Sequence, residues 1–178
     1  NNKKYADRIK LLRSHGIQKK KNDWEYNINE LGYNYRLSDI NCALGLSQLK
    51  KLNSFYLKRK KIVELYKKKF SKINNILNFS NSLNKYNCYH FFLIFINFKK
   101  IKSSNDILIK FLNKKKIFPQ FHYMTIFKFN FFKKKNMKMY SGAIKYYKNA
   151  LSLPVYYQLS KQKQLYVINN IKNFLLKN

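Results

Sequence analysis

Acidic side chains all but vanish after Glu64: of seven in the chain, only Asp106 follows, against 23 lysines and no arginine over the same stretch. Paired carboxylates for general acid–base chemistry are therefore excluded from the last two thirds. Cysteine is limited to Cys42 and Cys88, far apart and outside any C-x-x-C pattern, so neither a disulfide framework nor a zinc site is supported, and a reducing, cytoplasmic setting is expected. No apolar run reaches about 18 residues, which leaves no helical membrane span, and no signal peptide is visible. The sequence starts at Asn1 rather than Met, as expected of a chain that begins inside a longer reading frame.

Glycine (four) and proline (two) are also scarce, whereas 46% of the 178 residues are hydrophobic, so the chain can build a folded core. The formal net charge is +31, yet only four of the 38 basic residues are arginine (Arg8, Arg13, Arg36 and Arg59). Lys, Asn, Ile, Phe and Tyr are all abundant, and all have A/T-rich codons. Compositional drift therefore accounts for the lysine content without selection for a polyanion. A basic module that stacks bases on its Tyr and Phe rings is the alternative. No RRM, KH or zinc-finger pattern supports it, and no nucleic-acid partner is expected.

Tyr5, Ile9 and Leu12 recur at helical spacing and predict a helix over 3–13 that stops before Gly16, a suitable C-terminal cap. Residues 18–36 lack either period and read as a long loop, a type of segment that is often functional. Ser38 caps a second helix, with Asp39 in its first turn and a face of Leu46, Leu49, Leu52, Tyr56, Val63 and Tyr66 that can extend to Phe70. Ala43, Gly45 and Ser47 make its first turns slim enough for another backbone to approach. Residues 71–87 read as a polar connection, 88–98 as a buried strand, and the stretch after Ser104 as a helix. A strand over 117–123, a stretch at 127–142 that resists assignment, a short helix at 143–150, a brief strand at "LSLP" and a closing helix bearing Leu165, Ile168, Ile171 and Leu175 complete the pattern. Strands and helices alternate, so the second half reads as a small α/β unit.

"IKLLRSHGI" followed by "LGYNYRLSDINCALGLSQLKKL" resembles the C-terminal half of the DegT/DnrJ-type sugar aminotransferases, with "FHY" and "LSLP" later in the expected order. The resemblance implies an α/β fold: the C-terminal portion of a fold-type-I transferase dependent on pyridoxal phosphate (PLP). Residues 1–37 would end the large cofactor-binding domain and supply a cross-dimer loop. Residues 38–80 would form a bridging helix and connection, and 81–178 a small α/β domain. The implied reaction passes an amino group from glutamate through PLP to a UDP-linked 4-keto sugar for a cell-surface glycan, in a homodimer. A PLP-dependent sugar dehydratase or a 3-aminotransferase of the same fold is the alternative.

By the same likeness Asn34 and Arg36 would hold the cofactor phosphate of the neighbouring subunit, an amide and a guanidinium both being phosphate donors. Tyr35, His122, His15 and Arg13 would contact or support the substrate. No catalytic residue is assigned within the chain, because the family's Schiff-base lysine belongs to a segment expected upstream of Asn1; the chain by itself is expected to be inactive. No metal set is expected. Two positions depart from the family pattern: Thr125 stands where a proline usually follows "HY", and Tyr156 stands where a histidine usually follows "LSLP".

Overall fold

The computed structural model describes residues 2–19, 25–73, 76–79, 87–132 and 140–177. The chain divides into two compact units, Asn1–Leu52 and Asn53–Asn178.

In the first unit, α1 (Lys3–Leu12) starts at Asn2, whose side chain accepts a hydrogen bond from Lys4 N at 3.0 Å. That contact satisfies one of the helix's orphan amides. Two three-residue strands follow, β1 (Ile17–Lys19) and β2 (Tyr26–Ile28), paired antiparallel with Ile17 opposite Ile28. They lie partly within the stretch expected as a long loop. Pairing rather than burial makes them strands: every residue of β2 is exposed, so no hydrophobic alternation could betray it. Residues 20–24 of that stretch lie outside the described residues.

Helix α2 (Asp39–Phe70) runs 32 residues, roughly 48 Å at ~1.5 Å per residue. Ser38 caps it as expected, its Oγ 3.4 Å from Asn41 N and its carbonyl accepting from Cys42 N at 2.9 Å. The expected apolar face divides sharply. Val63 and Tyr66 are buried, whereas Leu46, Leu49 and Leu52 are all more than half exposed. Among the described residues nothing lies within 4 Å of a Cβ placed on Gly45, so the slim first turns meet no neighbouring backbone here.

The second unit is built on a three-stranded antiparallel sheet, β3 (Leu77–Phe79), β4 (Phe92–Ile96) and β5 (Ala150–Leu153), in the order β3-β4-β5. Strand β3 falls in the segment expected as a connection; its pairing with β4 sets Leu77 opposite Ile96. Residues 80–86 of that connection are outside the described residues. The expected strand over 117–123 is reduced to a single bridge, Gln120 to Ser152. Pro119 has no amide hydrogen to extend that ladder. Within 127–142, short 3-10 turns cover Ile126–Lys128 and Asn130–Phe132; residues 133–139 are outside the described residues.

Along β4, Phe92, Ile94 and Ile96 are buried while Leu93 and Phe95 are half-buried, the period-two alternation of a strand. The buried set meets Tyr66 and Phe70 of α2, Leu108 and Leu112 of α3 (Asn105–Lys114), and Ile168 and Ile171 of α5 (Lys161–Lys177) in one core. On α5, Ile168, Ile171 and Leu175 are buried as expected, with Leu165 only partly so. Phe95 instead meets Tyr146 of α4 (Ser141–Asn149) edge-on at 5.5 Å.

Polar groups inside this core are mostly paired. Gln164 Nε2 donates to the Ile62 carbonyl at 2.7 Å and Asn105 Nδ2 to the Ala150 carbonyl at 3.3 Å. Tyr66 is fully buried, stacked on Phe92 at 5.2 Å, and donates its hydroxyl to the Pro154 carbonyl at 3.1 Å. Burial, and secondarily the neighbouring Tyr156, pushes its pKa well above the ordinary 10.0, because an ionised phenolate would lose its water there.

Candidate functional site

The dense polar turn at 32–36 is held against the end of α1 by backbone bonds. Tyr33 N donates to the Leu12 carbonyl at 2.9 Å, His15 N to the Tyr33 carbonyl at 3.0 Å, and Tyr35 N to the Arg13 carbonyl at 2.9 Å. Ser14 and Asn34 form an antiparallel bridge. Glycines make this crossing possible. A Cβ on Gly32 would meet the Gly16 amide and sit 2.7 Å from the Leu12 carbonyl oxygen, while Gly16 has φ +69° and abuts the Glu30 carbonyl. The sequence pieces "RSHG" and "GYNYR", about 20 residues apart, are thus one structural element.

Their side chains form a small donor cluster. Arg36 donates from Nε to Asn34 Oδ1 at 3.1 Å, and its Nη2 makes a long contact of 3.5 Å with His15 Nε2. A guanidinium only donates, so any hydrogen bond in this long contact is accepted by His15 Nε2. Tyr33 and Tyr35 stack at 5.4 Å beside it. All of these side chains are exposed. Arg13 contributes its carbonyl to the crossing, and its own side chain is exposed. The nearby carboxylate is already engaged: Glu30 Oε2 lies 3.0 Å from Arg8 Nη2. With its acceptor oxygen engaged by Arg36, the Asn34 amide presents N–H donors alongside the guanidinium, a set suited to an oxyanion.

His122 lies in the second unit. Its Nδ1 is 2.7 Å from Ser152 Oγ, its ring stacks on Phe91 at 4.8 Å, and its carbonyl accepts from Tyr146 at 2.9 Å. Two contacts therefore fix the imidazole, and a third its backbone, at the wall of a cavity of about 800 Å³. His90 and Tyr156 line the same cavity, and both are exposed. Thr125 is buried, and its Oγ1 has no hydrogen-bond partner among the described residues. Reading the sequence alone missed Ser152, Phe91 and the Arg8–Glu30 pair. The one signal for Ser152 was its polar side chain in the otherwise apolar "ALSL", all four residues of which are buried in β5. Among the described residues no cluster of three or more His, Cys, Asp or Glu could hold a metal ion, and no helix is long and apolar enough to cross a membrane.

Residues 1–172 match the DegT/DnrJ/EryC1/StrS aminotransferase family. The chain belongs to this family. It is 36% identical over 178 residues to a UDP-4-amino-4,6-dideoxy-N-acetyl-beta-L-altrosamine transaminase of Campylobacter jejuni, covering 99% of this chain and 47% of that protein. The fold matches Helicobacter pylori PseC, an aminotransferase of pseudoaminic acid biosynthesis, with a TM-score of 0.80 and 26% identity, over 100% of this chain and 48% of that one. It also matches the fold of the PLP form of Spr1654 of Streptococcus pneumoniae, with a TM-score of 0.79 and 24% identity, over 98% and 44% of the two chains. This DegT-family chain thus spans about half the length of the relatives it matches. The family and fold expected from "RSHG" and "GYNYR" are those found.

Proposed function

We propose that this chain is the C-terminal part of a PLP-dependent transaminase that moves an amino group from glutamate to a nucleotide-linked 4-keto sugar. The observation that carries the reading is the crossing of "RSHG" and "GYNYR", which assembles exposed Asn34, Arg36 and His15 into one donor cluster. The 36% identity with a transaminase of such a sugar supports it along the whole chain.

The cluster fits the cofactor chemically. It offers an amide and a guanidinium, and the Glu30 carboxylate is paired with Arg8. Asn34 and Arg36 would hold the cofactor phosphate, in the neighbouring subunit of a homodimer. His15, 3.5 Å from Arg36 Nη2, would support the substrate beside the cluster, with Tyr35 and Arg13 on the same side. His122, fixed by Ser152 and Phe91, would bind a sugar hydroxyl with its remaining ring nitrogen. PLP itself supplies the electron sink, attached through a lysine in the part of the relatives that this chain does not span. Residues 1–37 then close the cofactor domain, 38–80 bridge, and 81–178 form the small domain.

The test is to express the chain together with the coding sequence that precedes Asn1, supply PLP, and measure cofactor retention and amino transfer from glutamate. Retention that Asn34→Ala and Arg36→Ala both weaken supports the reading. A complete protein that never retains PLP would overturn it.

A further inference from the structure

Two short 3-10 turns, Ile126–Lys128 and Asn130–Phe132, form a compact tip in the second unit that turns apolar side chains outward. The base of the tip is anchored. Thr125 and Phe127 are buried, Phe127 stacks on Tyr140 at 5.2 Å, and Lys128 Nζ sits 4.4 Å from the centre of the Tyr147 ring of α4. Its outer side is uncovered. Ile126, Phe129 and Phe132 are 63%, 45% and 52% exposed, and Phe131 is 90% exposed, more than any other large apolar side chain among the described residues. Phe131 and Phe132 meet edge-on at 4.9 Å, so their rings form one patch. Single exposed apolar side chains are ordinary, but four within seven consecutive residues on an anchored turn mark an interaction surface.

The charge around the tip selects the partner. Beyond Asp106 the chain has no acidic residue and fifteen lysines. Lys128 lies within the tip, and Lys145 and Lys148 are exposed on α4, to which the tip is tied. The cores of protein interfaces are depleted in lysine, because a buried ammonium loses its hydration. The surface of an anionic bilayer accepts both kinds of group at once. Aromatic rings settle at the headgroup level, while ammonium groups stay in water beside the phosphates. We propose that this tip docks on an anionic lipid surface, with Ile126, Phe129, Phe131 and Phe132 entering the headgroup region and Lys128, Lys145 and Lys148 facing lipid phosphates. Such attachment to one leaflet needs no membrane-spanning helix. It is independent of the transaminase reading.

The test is co-sedimentation of the protein, expressed with the coding sequence that precedes Asn1, with vesicles of phosphatidylcholine alone or with about 30% phosphatidylglycerol. Ionic strength is set at about 0.15 M, where screening over ~8 Å suppresses diffuse attraction. Affinity should be at least about tenfold higher for the anionic vesicles. F131S/F132S keeps the charge and should lower that affinity at least about tenfold, because two rings no longer leave water. I107S/L176S, which alters exposed apolar residues of α3 and α5, should leave it unchanged. All four side chains are exposed, so the melting temperatures should stay together. Phe131→Trp should add an emission that shifts to the blue with anionic vesicles and is quenched by bromine-labelled acyl chains. Binding that F131S/F132S leaves intact would reduce the effect to diffuse lysine charge and overturn the proposal. A folded protein that ignores the vesicles would overturn it too; emission from Phe131→Trp that is already blue without lipid would then identify protein as the cover of the tip.

Discussion

Gly32 and Arg36 show how much a single residue decides in the first unit. Gly32 has no room for a side chain, because the backbone of residues 12–16 passes directly over it. Gly32→Ala should cost about 1–3 kcal/mol in urea unfolding, through displaced backbone rather than lost packing. Arg36 holds two partners at once, Asn34 through Nε and His15 through Nη2. Arg36→Lys keeps the charge but loses the fork, so PLP affinity of the complete protein should fall about tenfold with the fold intact, as read by cofactor titration. An unchanged affinity would show that Arg36 acts as a point charge, or not at all. Among 34 lysines these arginines stood out in the sequence. What did not stand out was Ser152, whose contact with His122 spans 30 positions and depends on the Gln120 bridge.

Among the elements, the long helix and the three-stranded sheet were unequally legible. The end of α2 at Phe70 was readable because its cap and apolar spacing are local. Strand β3 was not, because three residues within an Asn-rich segment are too few to establish a period and become a strand only by pairing with β4. The sheet's stability concentrates on the inward face of β4. Ile94→Ala should cost about 2–5 kcal/mol, and Leu93→Ala, half-buried on the other face, clearly less, both measured by denaturant titration. Equal costs would mean that the two faces are packed alike. Helix α3 begins at Ser104, whose Oγ lies 3.4 Å from Ile107 N; Ser104→Ala should lower stability by about 0.5–2 kcal/mol.

At the scale of the whole molecule, a formal net charge of +31 is a stability problem before it is a function. Self-repulsion among exposed lysines destabilises the compact state, and salt screens it. Raising NaCl from about 0.02 to 0.5 M should therefore raise the melting temperature, with no specific anion required. A flat response would mean that the lysines are already neutralised by a bound polyanion, which would reopen the basic-module alternative. Alkaline pH adds a second, separable effect. Tyr66 is held neutral by burial, above the ordinary 10.0 at which it ionises in the unfolded chain. Above that pH the unfolded state releases a proton that the folded state keeps, so stability should fall as pH rises from about 10 upward. Tyr66→Phe should be less stable near neutrality, for want of the bond to Pro154, but should show a shallower alkaline decline.

The sequence by itself determined the family, the helices and the residues of the polar turn, because caps, helical spacing and contiguous motifs are local properties that a linear reading preserves. Tertiary structure decided which residues meet. It joined "RSHG" to "GYNYR" through a crossing only glycine permits and sorted the face of α2 into buried and exposed halves. It also gathered Lys115, Lys116 and Lys163 around one cavity from two different helix ends. Those juxtapositions join positions tens of residues apart, and their energy lies in packing and pairing that no single segment contains.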